Sequence, residues 1–178
     1  ENVKVQDYVE LILAVKNAGA LVAVDSDELK LEDYKVIKPW LIKPNIHEAA
    51  KIVPLTGTTV DDVARAAAVL HDSGVDNAVI SLGGKGILCV SDEGTYYAEV
   101  PRVEVKSTVG AGDSSLAGYI VSFVKDNPTE ECLRMAAACG TACAMQEGSV
   151  VATKETAMPL LEQVKVEKVT SNRAKNFI

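Results

Sequence analysis

Three short stretches of this chain carry residue types that handle charge. Ser107-Thr-Val-Gly-Ala-Gly-Asp113 runs straight into Ser114-Ser-Leu-Ala-Gly-Tyr119, a helical pattern. Two glycines around one alanine let the backbone turn tightly and bring several N–H groups to one point. A helix N-terminus has unpaired N–H groups and a partial positive charge, so the segment is suited to an anion. Asp113, in the first turn, offers a carboxylate that can take a proton. Phosphoryl transfer needs both. Gly110, Ala111 and Gly112 would hold the charge developing on the moving group, and Asp113 would accept the proton of an attacking hydroxyl. A plain helix with a glycine-rich approach and an acidic first turn would use the same residues.

The second stretch is Lys43-Pro-Asn-Ile-His-Glu48. Lys43 leaves a short apolar run as a cation. Asn45 and Glu48 lie three apart across a helical turn and can converge on one metal–water cluster. They also form a variant of the capping box, and the two uses are compatible. The third stretch, Ser81-Leu-Gly-Gly-Lys-Gly86, follows another apolar run. Its glycines permit close approach of backbone to a phosphate, and Ser81 adds a hydroxyl; a tight turn between strands is the plainer use. Two nucleotide motifs fail: Lys85 is followed by Gly86 rather than Ser or Thr, and Gly110-Ala-Gly112 never reaches a third glycine. His47 and His71 are expected to face solvent.

These stretches must be held by something, and the chain alternates helical and strand patterns throughout. Helical spacing over 4–18 precedes Gly19, a helix stop. Ala20-Leu-Val-Ala-Val24, Trp40-Leu-Ile42 and Ala78-Val-Ile-Ser81 read as strands buried on both faces. Between them, 29–38 is ambiguous, a short helix runs from Asn45 to Val53, and a longer one from Thr59 to Leu70. Ile87–Val90 and Tyr96–Val100 flank Asp92-Glu93-Gly94 as a hairpin. Helices follow over 112–124, 129–147 and 154–164, with a short strand to Val169. The pattern predicts an α/β fold with a mostly parallel sheet and helices on both faces. Ligands on such sheets bind at the carboxyl ends of strands, where Lys43, Asn45 and Ser81 fall.

Composition limits the alternatives. The 178 residues fit about one domain, with 18 basic against 25 acidic side chains and a net charge of −7. An acidic chain with 4% aromatics is a poor nucleic-acid surface. At 48% hydrophobic it can bury a core. No apolar run approaches the roughly 18 residues of a membrane span. The opening residues show no signal-peptide pattern, so a cytoplasmic protein is expected. Cys89, Cys132, Cys139 and Cys143 contain no C-x-x-C pair and no nearby histidine, so they read as core thiols rather than zinc ligands.

Taken together, the three stretches resemble the phosphofructokinase-B, or ribokinase-type, family of sugar kinases. Thr108-Val-Gly-Ala-Gly-Asp113 is similar to the family signature whose Asp is the catalytic base and whose Gly-Ala-Gly is the anion hole. Asn45-Ile-His-Glu48 resembles its Asn-x-x-Glu motif for magnesium and nucleotide phosphates, and Ser81-x-Gly83-x-x-Gly86 its ATP-phosphate loop. The segment from Ala136 to Gln146 resembles the wall of the adenine pocket. Ile42-Lys-Pro-Asn45 and Ala138-Cys-Gly-Thr-Ala-x-Ala-Met145 look like the phosphosugar branch, where Lys43 would contact the terminal phosphates.

The resemblance implies a three-layer α/β/α ribokinase-like fold with ATP and Mg²⁺ as cofactors. It implies ATP-dependent phosphorylation of fructose 1-phosphate, with tagatose 6-phosphate as the alternative sugar and a non-catalytic α/β binding module as the competing class. Family chains are nearly twice as long, and the match from about Val22 to Val169 corresponds to their C-terminal half. The fold is therefore expected to be truncated to that half, with 1–170 the nucleotide-binding and catalytic part and 171–178 a disordered tail. Alone, these residues are expected to bind nucleotide weakly and phosphorylate no sugar. An uncovered sheet edge at Ala20–Val24 would favour a homo-oligomer.

Overall fold

Five of the seven helix starts among the described residues are set by side chains that turn back onto the backbone. The computed structural model describes residues 4–170, so the expected tail lies outside the described residues. Helix α1 (Val5–Asn17) and helix α2 (Leu31–Ile37) each open with an aspartate, Asp7 or Asp33, accepting the N–H of the residue before the helix. Asn45 caps α3 (Ile46–Ile52), Thr59 caps α4 (Val60–Asp72), and Thr153 caps α7 (Lys154–Leu161). Such caps satisfy N–H groups that have no partner within the helix. The ambiguous stretch over 29–38 thus resolves as α2.

Six strands form one sheet in chain order: β1 (Ala23–Val24), β2 (Leu41–Ile42), β3 (Asn77–Ser81), β4 (Ile87–Ser91), β5 (Gly94–Glu99) and β6 (Lys165–Lys168). The expected parallel pairing holds from β1 to β3. From β3 to β6 every pairing is antiparallel, so the sheet is mixed. The reason is the connection. Asp92 and Glu93 alone join β4 to β5, and so short a link can only reverse the chain.

Strand alternation divides the core between two faces. Ile42, Ala78, Ile80, Leu88 and Tyr97 pack on the side of α1 to α4, with Val63 and Leu70 of α4 fully buried. Leu41, Val79, Ile87, Cys89 and Ala98 pack on the other side, against α5 (Ala111–Phe123), α6 (Thr129–Ala144) and α7. The result is the three-layer α/β/α arrangement. No helix among the described residues is long and apolar enough to cross a membrane.

Two expectations fail locally. Ala20–Val24 is not a strand buried on both faces: only Ala23 and Val24 pair, and Leu21 is 63% exposed. Among the described residues β1 is the sheet edge, and just before it only Val22 packs partly on the core, leaving Leu21 uncovered. His71 does not face solvent either. Its Nδ1 bonds the Val75 carbonyl at 2.8 Å and its Nε2 lies 3.3 Å from Asp92, which anchors the end of α4 to the hairpin turn.

Candidate active site

Parallel neighbours deliver their C-terminal ends side by side, and β2 and β3 do so here. Lys43 follows β2, and Ser81 ends β3. Beyond the strands, the Ser81 N–H donates to the Pro44 carbonyl at 3.0 Å, and Asn45 bridges to Ser81 in parallel register. The two stretches are therefore tied together. Asn45 Oδ1 accepts the N–H groups of His47 and Glu48, at 2.9 and 3.0 Å. Glu48 Oε2 accepts the Asn45 N–H at 2.8 Å, closing the capping box.

After Ser81 the chain makes a single 3₁₀ turn, Gly83–Lys85, before β4. The Leu82 N–H bonds the Gly86 carbonyl at 2.9 Å, and the Gly86 N–H bonds the Gly83 carbonyl at 3.1 Å. Gly86 has φ +124°, a left-handed value that an L side chain rarely adopts. A Cβ there would also come within 2.9 Å of the Tyr97 ring. Burial, with help from Glu99 and Glu167, pushes the Tyr97 phenol up to about 12.

The third stretch begins at Gly110, which has φ +79° and precedes α5 without any side-chain cap. Of the first-turn N–H groups, that of Ala111 bonds the Thr108 carbonyl at 3.3 Å, whereas those of Gly112 and Asp113 have neither an intrahelical acceptor nor a capping oxygen. The Lys43 Nζ stands against this turn, 3.3 Å from where a Cβ on Gly112 would lie. Lys43 is 4% exposed, and Asp25, 3.6 Å away, is its ion-pair partner. A buried ammonium beside the positive end of a helix is an arrangement short of negative charge. An anion placed between them would complete it.

Around this point lies a cleft of about 720 Å³. Its polar lining includes Lys43, Asn45, Glu48 and Ser81, with Ala111 and Gly112 presenting backbone. Gly83, Gly84 and Gly86 line it as well, and Ile87, Val103, Ala136, Ala137 and Ala144 supply apolar wall. Of the residues selected from sequence, Gly110 and Asp113 do not line the cleft. Gly110 is the turn behind α5, and Asp113 is exposed on its first turn.

Sequence reading missed Asp25, Val100 to Val103 with Arg102 among them, and Val105, all of which line the cleft. Asp25 is placed by strand register: Val24 pairs with Ile42 in parallel, which sets the following residues, Asp25 and Lys43, side by side. A smaller cavity of about 220 Å³ opens where β3 begins. Its polar groups answer one another, Tyr119 OH donating to Asn77 Oδ1 at 2.8 Å and the Thr129 N–H to Glu93 at 2.9 Å. The thiols of Cys89, Cys132 and Cys139 are all pushed up, chiefly by burial, which makes them inert core groups.

A buried ammonium at the head of a helix, a glycine loop and an apolar wall share one cleft. Comparison with known proteins decides the family, because the pfkB family carbohydrate kinase profile matches residues 1–157. This chain belongs to the pfkB family. The 1-phosphofructokinase of Bacillus subtilis (strain 168) is 32% identical over 162 residues, covering 91% of this chain and 53% of that protein. Escherichia coli phosphofructokinase-2, in complex with substrates and products, superposes with a TM-score of 0.84 at 31% identity. That match covers 91% of this chain and 53% of the other. Arabidopsis thaliana ribokinase complexed with ribose and ATP gives a TM-score of 0.74 at 26% identity, covering 86% of this chain and 51% of that one. The resemblance read from the motifs and the ribokinase-like fold are both borne out. The chain spans about half the length of the curated relatives it matches.

Proposed function

We propose that this pfkB chain provides the ATP-binding and catalytic part of a sugar-phosphate kinase that converts fructose 1-phosphate to fructose 1,6-bisphosphate. One observation carries the reading: the buried Lys43 ammonium stands against the uncapped first turn of α5. Two positive groups facing one gap are what the terminal phosphates of a nucleotide need. The relatives named above include a ribokinase complexed with ATP and a 1-phosphofructokinase, which supports the nucleotide and the sugar.

In this reading the loop from Ser81 through Gly83 to Gly86 holds the phosphate chain, while Lys43 and the first turn of α5, with the open Gly112 N–H, meet the transferring phosphoryl group. Asp113 takes the proton of the C6 hydroxyl as its oxygen bonds to the γ-phosphorus; the bridging oxygen leaves with ADP. Positioning and charge neutralisation carry most of the acceleration, because the moving phosphoryl group needs little covalent help. Magnesium fits the donor set. Asn45 and Glu48 offer oxygens in the cleft, but Asn45 Oδ1 and Glu48 Oε2 already accept N–H groups, so they would hold the ion through its water shell. Bound there, the ion would neutralise charge on the terminal phosphates.

Free thiols throughout suit a reducing compartment, so the cytoplasm is the proposed location. Association of copies is proposed as well, since Tyr8, Leu11 and Val15 expose an apolar stripe on α1. The catalytic reading is tested by incubating the polypeptide, as the cell makes it, with ATP, Mg²⁺ and fructose 1-phosphate and following ADP release. ADP and fructose 1,6-bisphosphate are expected in equal amounts, and Asp113→Asn should lower kcat at least roughly 10²-fold. Near-normal kcat in Asp113→Asn would overturn the assignment of the base.

A further inference from the structure

We propose that Tyr97 is a positioning residue for the glycine loop 81–86, holding it from behind while its front faces the cleft. This rests on reading the cleft as a nucleotide-phosphate site. Tyr97 sits on β5 opposite Leu88 of β4 and is 4% exposed, packed in the core on the α4 side of the sheet. It does not line the cleft, whereas Gly83, Gly84 and Gly86 do. Its contact with the loop is double. The phenol O–H donates to the Lys85 carbonyl, and its ring closes against Gly86, where a Cβ would fall 2.9 Å from both Cε2 and the hydroxyl oxygen.

That single hydrogen bond reaches further than one residue. The peptide joining Lys85 to Gly86 has its carbonyl held by Tyr97 and its N–H held by the Gly83 carbonyl at 3.1 Å. A planar trans peptide gripped at both ends cannot rotate. Its grip passes to the next plane, because the Gly83 carbonyl that accepts the bond belongs to the peptide whose N–H is that of Gly84. In a trans peptide the N–H points opposite the carbonyl, so fixing one fixes the other. Three glycines would otherwise leave this loop free to sample many orientations. Tyr97 thus selects the orientation in which the backbone of Gly83 and Gly84 meets a phosphate. With its ionisation pushed up to about 12, the phenol remains a donor across the neutral range.

Calorimetric titration of the 178-residue chain with ADP and, separately, adenosine tests this. Tyr97→Phe keeps the ring and removes only the donor. It should weaken ADP binding about three- to ten-fold and leave adenosine within about two-fold, because only the phosphates meet the loop. Equal losses for both ligands would mean a merely structural role, and no loss for either would mean no role; each overturns the proposal. A wild-type chain that binds neither ligand would instead remove the nucleotide reading, and this proposal with it. Should the variant be too unstable to titrate, amide exchange in the wild-type chain decides. The Gly86 N–H should exchange as slowly as that of Ala98 in β5, and fast exchange at Gly86 would show a loop that Tyr97 does not hold.

Discussion

Replacing Lys43 with methionine removes one charge and keeps nearly all of the buried stem. The side chain of Lys43 is 5% exposed and that of its partner Asp25 35% exposed, with 3.6 Å between Nζ and Oδ2. Asp25 can therefore be rehydrated when the ammonium is gone, and the fold should lose no more than about 1 kcal/mol. Phosphate binding loses far more. A unit charge about 4 Å from a phosphate contributes roughly 4 kcal/mol at an effective dielectric constant near 20. Asp25 offsets part of that, and charge-assisted hydrogen bonds contribute about 1.5–3 kcal/mol net. A loss of about 2–3 kcal/mol follows, roughly a 30- to 150-fold rise in the Kd for ADP. Titrations at low and high salt add a second signature: the wild-type affinity should fall with salt more steeply than that of Lys43→Met. Adenosine should bind both proteins alike. An ADP affinity for Lys43→Met within about two-fold of wild type, with unchanged melting, would refute the anion-site reasoning.

Gly112→Ala should separate binding from stability. The new Cβ would stand 3.3 Å from Lys43 Nζ, so the ammonium must shift, and ADP binding should weaken several-fold while the helix gains up to about 1 kcal/mol; weaker binding with a lower melting temperature would contradict this. Asp62 is held below the ordinary carboxylate range by hydrogen bonds from Thr59 at the start of α4. A depressed native value stabilises the fold above the unfolded value of 3.8, and that stabilisation disappears as pH falls through the native one. Melting curves from pH 6 to pH 3 should thus fall less steeply for Asp62→Asn than for wild type, and parallel curves would count against the linkage.

Local signals in the sequence are legible because their physics is local. Asn45 and Glu48 lie three apart and close the capping box whatever surrounds them, and Asp92-Glu93-Gly94 turns a hairpin on its own. Gly110 to Asp113 likewise begins a helix where its residue types say one should begin. The misses are long-range. That Asp25 meets Lys43 depends on β1 and β2 pairing in one parallel register, which neither strand specifies alone. That the last strand, Lys165–Lys168, returns antiparallel beside β5 is also long-range, because a four-residue charged strand carries no directional signal. The expectation that His71 faces solvent fails because Asp92, its neighbour in space, is distant in the chain. The motif around Asp113 offers a candidate base, yet only the fold shows it exposed and not among the residues that line the cleft.

The central claim is that terminal phosphates bind between Lys43 and the first turn of α5. An amide-resolved NMR titration of the chain with ADP tests it most directly. Shifts should concentrate at Ala111 and Gly112 and at Gly83 to Gly86, and in Lys43→Met those at Ala111 and Gly112 should shrink most. Shifts confined to Asn77, Ser91 and Thr129 at the smaller cavity, or none at saturating ADP, would contradict it.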